Sequence, residues 1–563
     1  MPDVQLSDRS PVKQDFDVLV IGGGITGAWT ALDCSLRGLS TILVEIGDFG
    51  GATSMRSSRL LHGGIRYLQQ LELRKVRESS RERGLIAQSA PHMVDFVPFM
   101  VPTFSGLQRG RAFLHAGMLA YRALTMGTHS ASKDPTLRIP ADHRISGSEI
   151  QRHGIHSKEK MTGGRILYEA QVQSSERMTF EVINRARAEG AVALNYMAVT
   201  RYIKTGDQVE GVVTKDLVSG NTLDLKARIV INAAGPWCDS LNDNASLQKL
   251  NTGFARGAHI ITRSLLGPYA VALPSSFKSD GVATRGNRHI FIIPWRNRSL
   301  IGTSYMESSE PTEDLTPTPD EIQQLIDTVN QSLPESRLTT NDVIRSFAGY
   351  YPLQSATIKK GIYQGTGEYR LVDHSTTDGV DGLITALGAK FTTARRTAEL
   401  ATELAQKKLG HTTQNGRPTR SIKLLGSEYK ELNQFRSACL KKYANLWSSP
   451  VCLHLISCYG SRIDEIAKLC DQDPALNRVL FDGGDTIAAQ IVWAARHEVV
   501  VHLGDILFRR TDLGLLNNLT IDMIKDCADL SGEELGWDDH RRQGEIELAQ
   551  NELDKTMPAS NCG

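Results

Sequence analysis

The sequence predicts an α/β protein with three parts: a discontinuous Rossmann-like dinucleotide-binding domain, an antiparallel-sheet substrate domain and a C-terminal α-helical domain. Three observations carry this reading. A glycine turn joins an apolar strand to a helix near the start of the chain, strand-like runs alternate with turn signals over 254–305, and 421–550 is rich in helical pattern and poor in strands. With 563 residues the chain exceeds one core and suits about two to four domain-sized units.

The first element is the most specific. Residues 16–47, FDVLVIGGGITGAWTALDCSLRGLSTILVEIG, read as strand, glycine turn, helix, second strand and acid. Val18 to Ile21 predict a buried parallel strand, and Gly22, Gly24 and Gly27 supply a GxGxxG spacing. Gly22 permits the turn, and Gly24 lets the backbone approach a pyrophosphate. Gly27 lets a helix from Ala28 to Arg37 pack on the sheet with its N-terminus towards the phosphates. Glu45 follows 23 residues after Gly22, where a carboxylate accepts hydrogen bonds from a ribose and its charge disfavours a 2′-phosphate.

Composition bounds the rest. Hydrophobic residues at 40% and charged residues at 23% are those of a globular protein, and a formal charge of +1 gives no case for a nucleic-acid partner. The cysteines at 34, 238, 439, 452, 458, 470, 527 and 562 form no CxxC pair or Cys/His spacing, so neither a disulfide framework nor a metal site is expected, and a reducing compartment is. Residues 1–14 are polar and read as a disordered lead-in. No run reaches the roughly 18 apolar residues a bilayer span needs. The expected location is the cytoplasm, with a peripheral place on the inner face of the cytoplasmic membrane as the alternative.

Along the chain, 48–68 is crowded with Gly and Ser and then with basic and aromatic residues, as suits a cofactor lining. Residues 72–90 favour a helix with Leu73, Val76 and Leu85 as inward positions and the charges as a solvated face. Between Val97 and Lys133 no acidic residue occurs. Arg109, Arg111 and Arg122 are interleaved there with Leu107, Phe113, Leu114, Met118, Leu119 and Tyr121. A helix of that mixture either docks on anionic lipid or packs on the protein's own core; the sequence weighs the two evenly. Residues 176–190 predict a helix ending at Gly190, followed by a strand pair formed by 191–196 and EGVVTKD. The strand in 227–239 runs into the small-residue turn of INAAGPW. A loop and a Thr- or Asp-capped helix occupy 311–336, a strand at 381–393 leads into a helix to about 408, and HTTQNGRPTR reads as a linker. The expected domains are the dinucleotide-binding unit at 15–75, 165–245 and 365–410, the substrate unit at 76–164 and 246–364, and the helical unit at 420–550.

Taken together, ATSMRSSRLLHGGIRYL at 52–68, INAAGPW at 231–237, RGAHII at 256–261, FIIPW at 291–295, IGTS at 301–304, LGAKFTTAR at 387–395 and LGDILFRRTDLG at 503–514 resemble the FAD-dependent glycerol-3-phosphate dehydrogenase family, within the glycine- and D-amino-acid-oxidase-like flavoproteins. The resemblance implies noncovalent FAD with Gly22, Gly24, Gly27 and Glu45 on its ADP half. It implies Thr53, Ser54, Ser57, Ser58, His62, Gly63 and Gly64 near the pyrophosphate and flavin ring, joined by Ala234, Gly235, Gly388, Lys390, Phe391 and Thr392. A lysine beside flavin N1 and the C2 carbonyl would stabilise the anion formed on reduction. His259 matches the family's substrate-side histidine, and imidazole, with an ordinary pKa near ~6.5, suits a base for a hydroxyl proton. Arg66 and Tyr67 match the pair beside the substrate. The implied reaction is oxidation of a secondary alcohol with electrons passed to quinone or another acceptor. A membrane surface and a homodimer are among the partner expectations.

The sequence departs from the family in three places. Tyr351 in AGYYPL stands where the family has an arginine, Gly367 replaces a second arginine, and Tyr305 replaces an acid. A phenol cannot supply a guanidinium's charge or fork of donors, and each charged hydrogen bond contributes about 1.5–3 kcal/mol. Two expectations follow: glycerol 3-phosphate is a poor substrate beside a sugar or cyclitol relative that stacks on tyrosine, or Arg56, Arg59 and Arg256 supply replacement charge. An amine or amino-acid oxidase, disfavoured by the HGG and RY motifs, and a non-catalytic FAD-holding protein are the alternative classes.

Overall fold

The computed structural model describes residues 15–557 apart from 70, 107–109, 129–133, 157–159, 244–246, 251, 280–286, 309, 354–361, 364, 366, 412–415 and 517–518. The 1–14 lead-in, Leu107 and Arg109 therefore lie outside the described residues.

Strand β1 (Asp15–Ile21) ends at the glycine turn, and α1 (Ile25–Leu36) starts directly behind Gly24 rather than at Ala28. Strand β2 (Thr41–Val44), buried along its whole length, returns beside it. The sheet order is Arg370–Asp373, Leu383–Leu387, Thr222–Asn232, β1, β2, Val192–Leu194. The four contacts from Leu383–Leu387 through to Val192–Leu194 are parallel, and the apolar runs are near-continuous because both faces are covered, one by helices and the other by the strands Met197–Thr205 and Gln208–Asp216. In this register Ile21 lies beside both Val44 and Asn232, so the turn at Gly22, the acid at Glu45 and the small-residue turn at Ala233 emerge at one edge. Helix α1 packs between Ser175–Ala188 and Ala394–Lys408.

One expected pairing is wrong. Residues 191–196 do not pair with EGVVTKD; Val192–Leu194 extends the parallel sheet beside β2, and the antiparallel partner of Gln208–Asp216 is Met197–Thr205. The alternation of Met197–Thr205 is weak because half of it faces solvent.

The second sheet has eleven strands, mostly antiparallel. Phe254–Arg263 is its centre for function, flanked by Arg298–Gly302 and Met306–Ser308 on one side and by Val343–Pro352 on the other. Met161–Val172 pairs antiparallel with Val94–Phe104 and with Leu60–Leu61, bringing this sheet against the dinucleotide edge. Helix Pro319–Ser332, capped by the Thr318 side chain and Glu321, covers the far face.

After the short α2 (Ile65–Gln69) comes α3 (Leu73–Ser89), whose pattern departs from expectation. Val76 is buried and Leu85 partly so, but Leu73 is exposed, while Glu82 and Arg83 are fully inside. Their charges are paired across the fold, Glu82 with Arg395 at 2.7 Å and Arg83 with Glu169 at 2.7 Å. The 97–133 stretch is not a single helix either: strand Val94–Phe104 precedes α4 (Arg111–Thr125), of which only Met118 is buried.

The C-terminal helical domain follows, from Leu432–Lys442 to Asp539–Asp554. Its apolar core, with Trp447, Leu455, Trp493 and Phe508, runs on without a break into Trp295 and Phe347 of the large sheet. Seven cysteines are free among the described residues.

Candidate functional site

The site grows from the turn. Gly22 takes φ of +100°, and a Cβ on it would lie 2.7 Å from the Ala233 carbonyl oxygen; a Cβ on Gly27 would lie 1.9 Å from the Gly22 oxygen. Gly27 is thus a packing residue and does not line the cavity described next, in keeping with the reading from spacing. Glu45 ties the turn to the second strand: Gly23 N–H donates to its Oε2 at 2.5 Å and Gly47 N–H to its Oε1 at 2.9 Å. Burial pushes the Glu45 carboxyl up and these N–H groups oppose the shift.

A cavity of about 1480 Å³ opens at this edge of the parallel sheet and continues to the large sheet. At one end it is lined by Gly22, Gly24, Glu45, Ala234 and Gly235, then by Thr53, Ser54, Ser57 and Ser58. Ser54 Oγ accepts from the N–H of Ile25 at 2.9 Å, fixing the serine loop on the first turn of α1. Towards the large sheet the lining is His62, Gly64, Arg66 and Tyr67, opposite Gly388, Lys390, Phe391 and Thr392. The last of these accepts from His62 N–H at 3.1 Å. Burial holds the His62 imidazole below its ordinary range. Gly63 lies behind the wall. Its N–H donates to Glu169 and its carbonyl accepts from Tyr121, and a Cβ would lie 2.2 Å from the Tyr121 hydroxyl and 2.3 Å from Arg83.

Lys390 Nζ donates to the Tyr67 hydroxyl at 3.1 Å and sits 4.5 Å from that ring's centroid, so two residues 323 apart in sequence form one cationic corner. His259 projects from Phe254–Arg263 into the same space. It is 2% exposed, its Nε2 lies 2.9 Å from Ser58 Oγ, and its ring stacks on Phe347 with centroids 5.3 Å apart. The opposite face needs a glycine: a Cβ on Gly302 would lie 2.3 Å from His259 Cδ2. Tyr351 lines the cavity beside Gly257, and Tyr305 is buried behind it with Leu353.

Of the proposed replacement cations, only Arg56 lines the cavity, donating to the carbonyls of Gly51 and Ala52. Burial pulls its pKa down to about 10, with Glu552 opposing and Arg509 assisting. Arg59 and Arg256 do not supply the replacement charge. Arg59 pairs with Glu176 at 2.9 Å under the Trp295 ring, and Arg256 turns to Glu321 at 3.3 Å and the Thr316 carbonyl. Neither lines the cavity, because each is paired with a buried carboxylate outside it. Gly367 is explained by its neighbour: a Cβ there would lie 2.1 Å from the Tyr67 hydroxyl, so the arginine's place is filled.

The fit to a dinucleotide rests on this geometry. The turn, the α1 N-terminus and the acid share one end of an elongated cavity. Trp237 Nε1, also lining it, is buried without a hydrogen-bond partner among the described residues. The sequence reading missed Trp237, Glu169, Tyr121, Phe291 and Arg509 as lining residues. Trp237 and Arg509 sat in noted motifs; Glu169 had no local signal, since its partner Arg83 is 86 residues away.

Residues 17–404 match the protein family described as FAD dependent oxidoreductase, and residues 417–542 that described as C-terminal domain of alpha-glycerophosphate oxidase. The chain is 33% identical over 518 residues to glycerol-3-phosphate dehydrogenase of Synechocystis sp., covering 89% of this chain and 90% of that protein. It is 30% identical to the human mitochondrial glycerol-3-phosphate dehydrogenase, covering 96% and 73%. The solved glycerol-3-phosphate dehydrogenase from Bacillus halodurans complexed with FAD superimposes with a TM-score of 0.74 at 25% identity, over 97% of this chain and 96% of that one.

Proposed function

The chain belongs to the FAD-dependent glycerol-3-phosphate dehydrogenase family of FAD-dependent oxidoreductases, and from that premise we propose that it oxidises the secondary alcohol of glycerol 3-phosphate or a related polyol phosphate. It is an FAD-dependent oxidoreductase, with FAD seated along the Gly22–Gly24 turn, Glu45 and the serine loop. Bound FAD supplies a two-electron acceptor for the hydride lost from carbon.

The single observation that carries the reading is convergence: His259, Lys390, Tyr67 and Tyr351 enter the same cavity that the glycine turn opens. His259 Nε2 takes the hydroxyl proton, with Ser58 holding the ring's edge and Phe347 and Gly302 its faces. Lys390, which Tyr67 positions, would hold the cofactor at this end of the cavity and its ammonium would favour the negative charge of the reduced form. Arg66 and Arg56 face the cavity as anion-binding groups. An anaerobic screen of polyols and polyol phosphates, reading flavin bleaching in the purified protein, tests the reading. No bleaching by any alcohol, with an amine reducing the flavin instead, would replace it with the oxidase class.

For the acceptor and partner surface, the supported reading is quinone reached from a membrane face. Helix α4 turns Leu119, 52% exposed, outwards with Arg111 and Arg122, and Met126 just beyond it is 77% exposed. Among the described residues no helix is long and apolar enough to cross a membrane. Flotation with anionic vesicles, comparing the native protein with Arg111→Glu, tests it; unchanged lipid binding removes α4 from the argument.

A further inference from the structure

The segment after Glu45 is held from a distance. Asp48, three residues on and 5% exposed, accepts from two adjacent arginines of the helical domain: Arg509 Nε and Arg510 Nη1 each reach its Oδ2 at 2.8 Å, and Arg510 Nη2 reaches its Oδ1 at 2.9 Å. Both arginines lie on the π-helical turn Ile506–Arg510, which turns two consecutive guanidinium groups to one side. Each is fastened behind. Arg509 pairs with Asp505 at 2.9 Å and Glu552 at 2.5 Å, while Arg510 donates to the Glu498 carbonyl at 2.9 Å and lies 4.2 Å from the Phe180 ring centroid.

The same cluster reaches the cavity by two more routes. Tyr196, a lining residue, donates its hydroxyl to Asp505 at 2.6 Å, and its own N–H donates to the Gly47 carbonyl at 2.9 Å. Arg509 lines the cavity itself beside Gly51. The 46–52 segment therefore has Glu45 at one end, the serine loop at the other, and an anchor in the helical domain between them.

We propose that Arg509 and Arg510 are positioning residues for FAD, acting through Asp48, and that this is a task of the C-terminal helical domain: it sets the distance between the ribose-binding acid and the pyrophosphate-binding serine loop. A bidentate guanidinium–carboxylate pair fixes distance and orientation together, which a lysine cannot do. Other buried arginine pairs, such as Arg395 with Glu82, join secondary structure far from the 46–52 segment.

The test strips FAD from the native protein and from Asp48→Asn, Arg510→Lys and Arg510→Met, then measures FAD dissociation constants by flavin fluorescence and apoprotein melting by circular dichroism. The proposal expects FAD affinity to fall at least tenfold in Asp48→Asn and Arg510→Lys and further in Arg510→Met, with the alcohol KM of the FAD-saturated enzyme unchanged. Arg478→Gln, which breaks a pair with Asp526 on the helical domain's outer side, is the control and keeps native FAD affinity. If the three variants do not fold, Glu552→Gln removes only the partly exposed partner of Arg509 and is expected to weaken FAD two- to fivefold. FAD affinity within twofold of native in the folded variants, or an equal loss in Arg478→Gln, overturns the proposal.

Discussion

The Nε2 of His259 lies 2.9 Å from the hydroxyl of Ser58, joining the centre of the large sheet to the serine loop of the cofactor domain across 201 residues. The pairing puts the proposed base at the seam between two sheets. His259→Asn is expected to lower kcat by about 10²–10⁴, the range general bases supply, while leaving FAD content native. Ser58→Ala is expected to cost less, with a change in the pH dependence of kcat/KM. Steady-state rates across pH measure both; native kcat in His259→Asn would remove the base assignment.

Lys390 reaches Tyr67 and lines the cofactor cavity. Lys390→Met is expected to lower the reduction potential of the bound flavin and slow its bleaching by substrate, because the charge opposite the reduced cofactor is gone. Potentiometric titration against reference dyes reads it. An unchanged potential would place the lysine in structure alone.

At Gly27 an added methyl would stand 1.9 Å from the Gly22 carbonyl oxygen, a backbone contact with nowhere to go. Gly27→Ala is expected to purify without yellow flavin absorbance and to take up none on incubation. Retention of flavin at native stoichiometry would refute the close packing.

Tyr351 and Gly367 make opposite predictions although the family resemblance sets an arginine against both. Tyr351 already lines the cavity, so Tyr351→Arg is expected to raise kcat/KM for glycerol 3-phosphate by about tenfold or more, the worth of one charged hydrogen bond. Gly367→Arg is expected to lower it, because its Cβ would displace the Tyr67 hydroxyl. Rates with glycerol 3-phosphate, a larger polyol phosphate and an uncharged polyol also decide whether Tyr351 favours a ring-bearing substrate.

Burial alone would push the Glu399 carboxyl up, but hydrogen bonding from Arg420 and the charge of Arg395 outweigh it and hold its pKa at about 2. The folded value lies below the unfolded one, so the stability this carboxylate contributes is full above about pH 4.5 and is lost as pH falls towards 2. The native protein should lose melting temperature over that window more steeply than Glu399→Gln. Parallel curves would show that Glu399 does not set the acid limb.

What the sequence decided by itself is local. The order strand, GxGxxG, helix, strand and acid specifies the dinucleotide edge, because each step depends on neighbours within about 30 residues: apolar periodicity for strand and helix, missing Cβ atoms for the turn, a carboxylate at the end of β2. The same locality exposed the departures at Tyr351 and Gly367. Tertiary structure decided which charges are available. Arg56, Arg59 and Arg256 look alike in sequence, yet one faces the cavity and two are spent on buried glutamates 117 and 65 residues away. Likewise Glu82 and Arg83 read as a solvated face until their partners Arg395 and Glu169 are in place. The reason is physical: hydrophobic pattern and turn chemistry act along the chain, whereas a buried charge survives only where another segment brings its partner, and that meeting exists only in the folded protein.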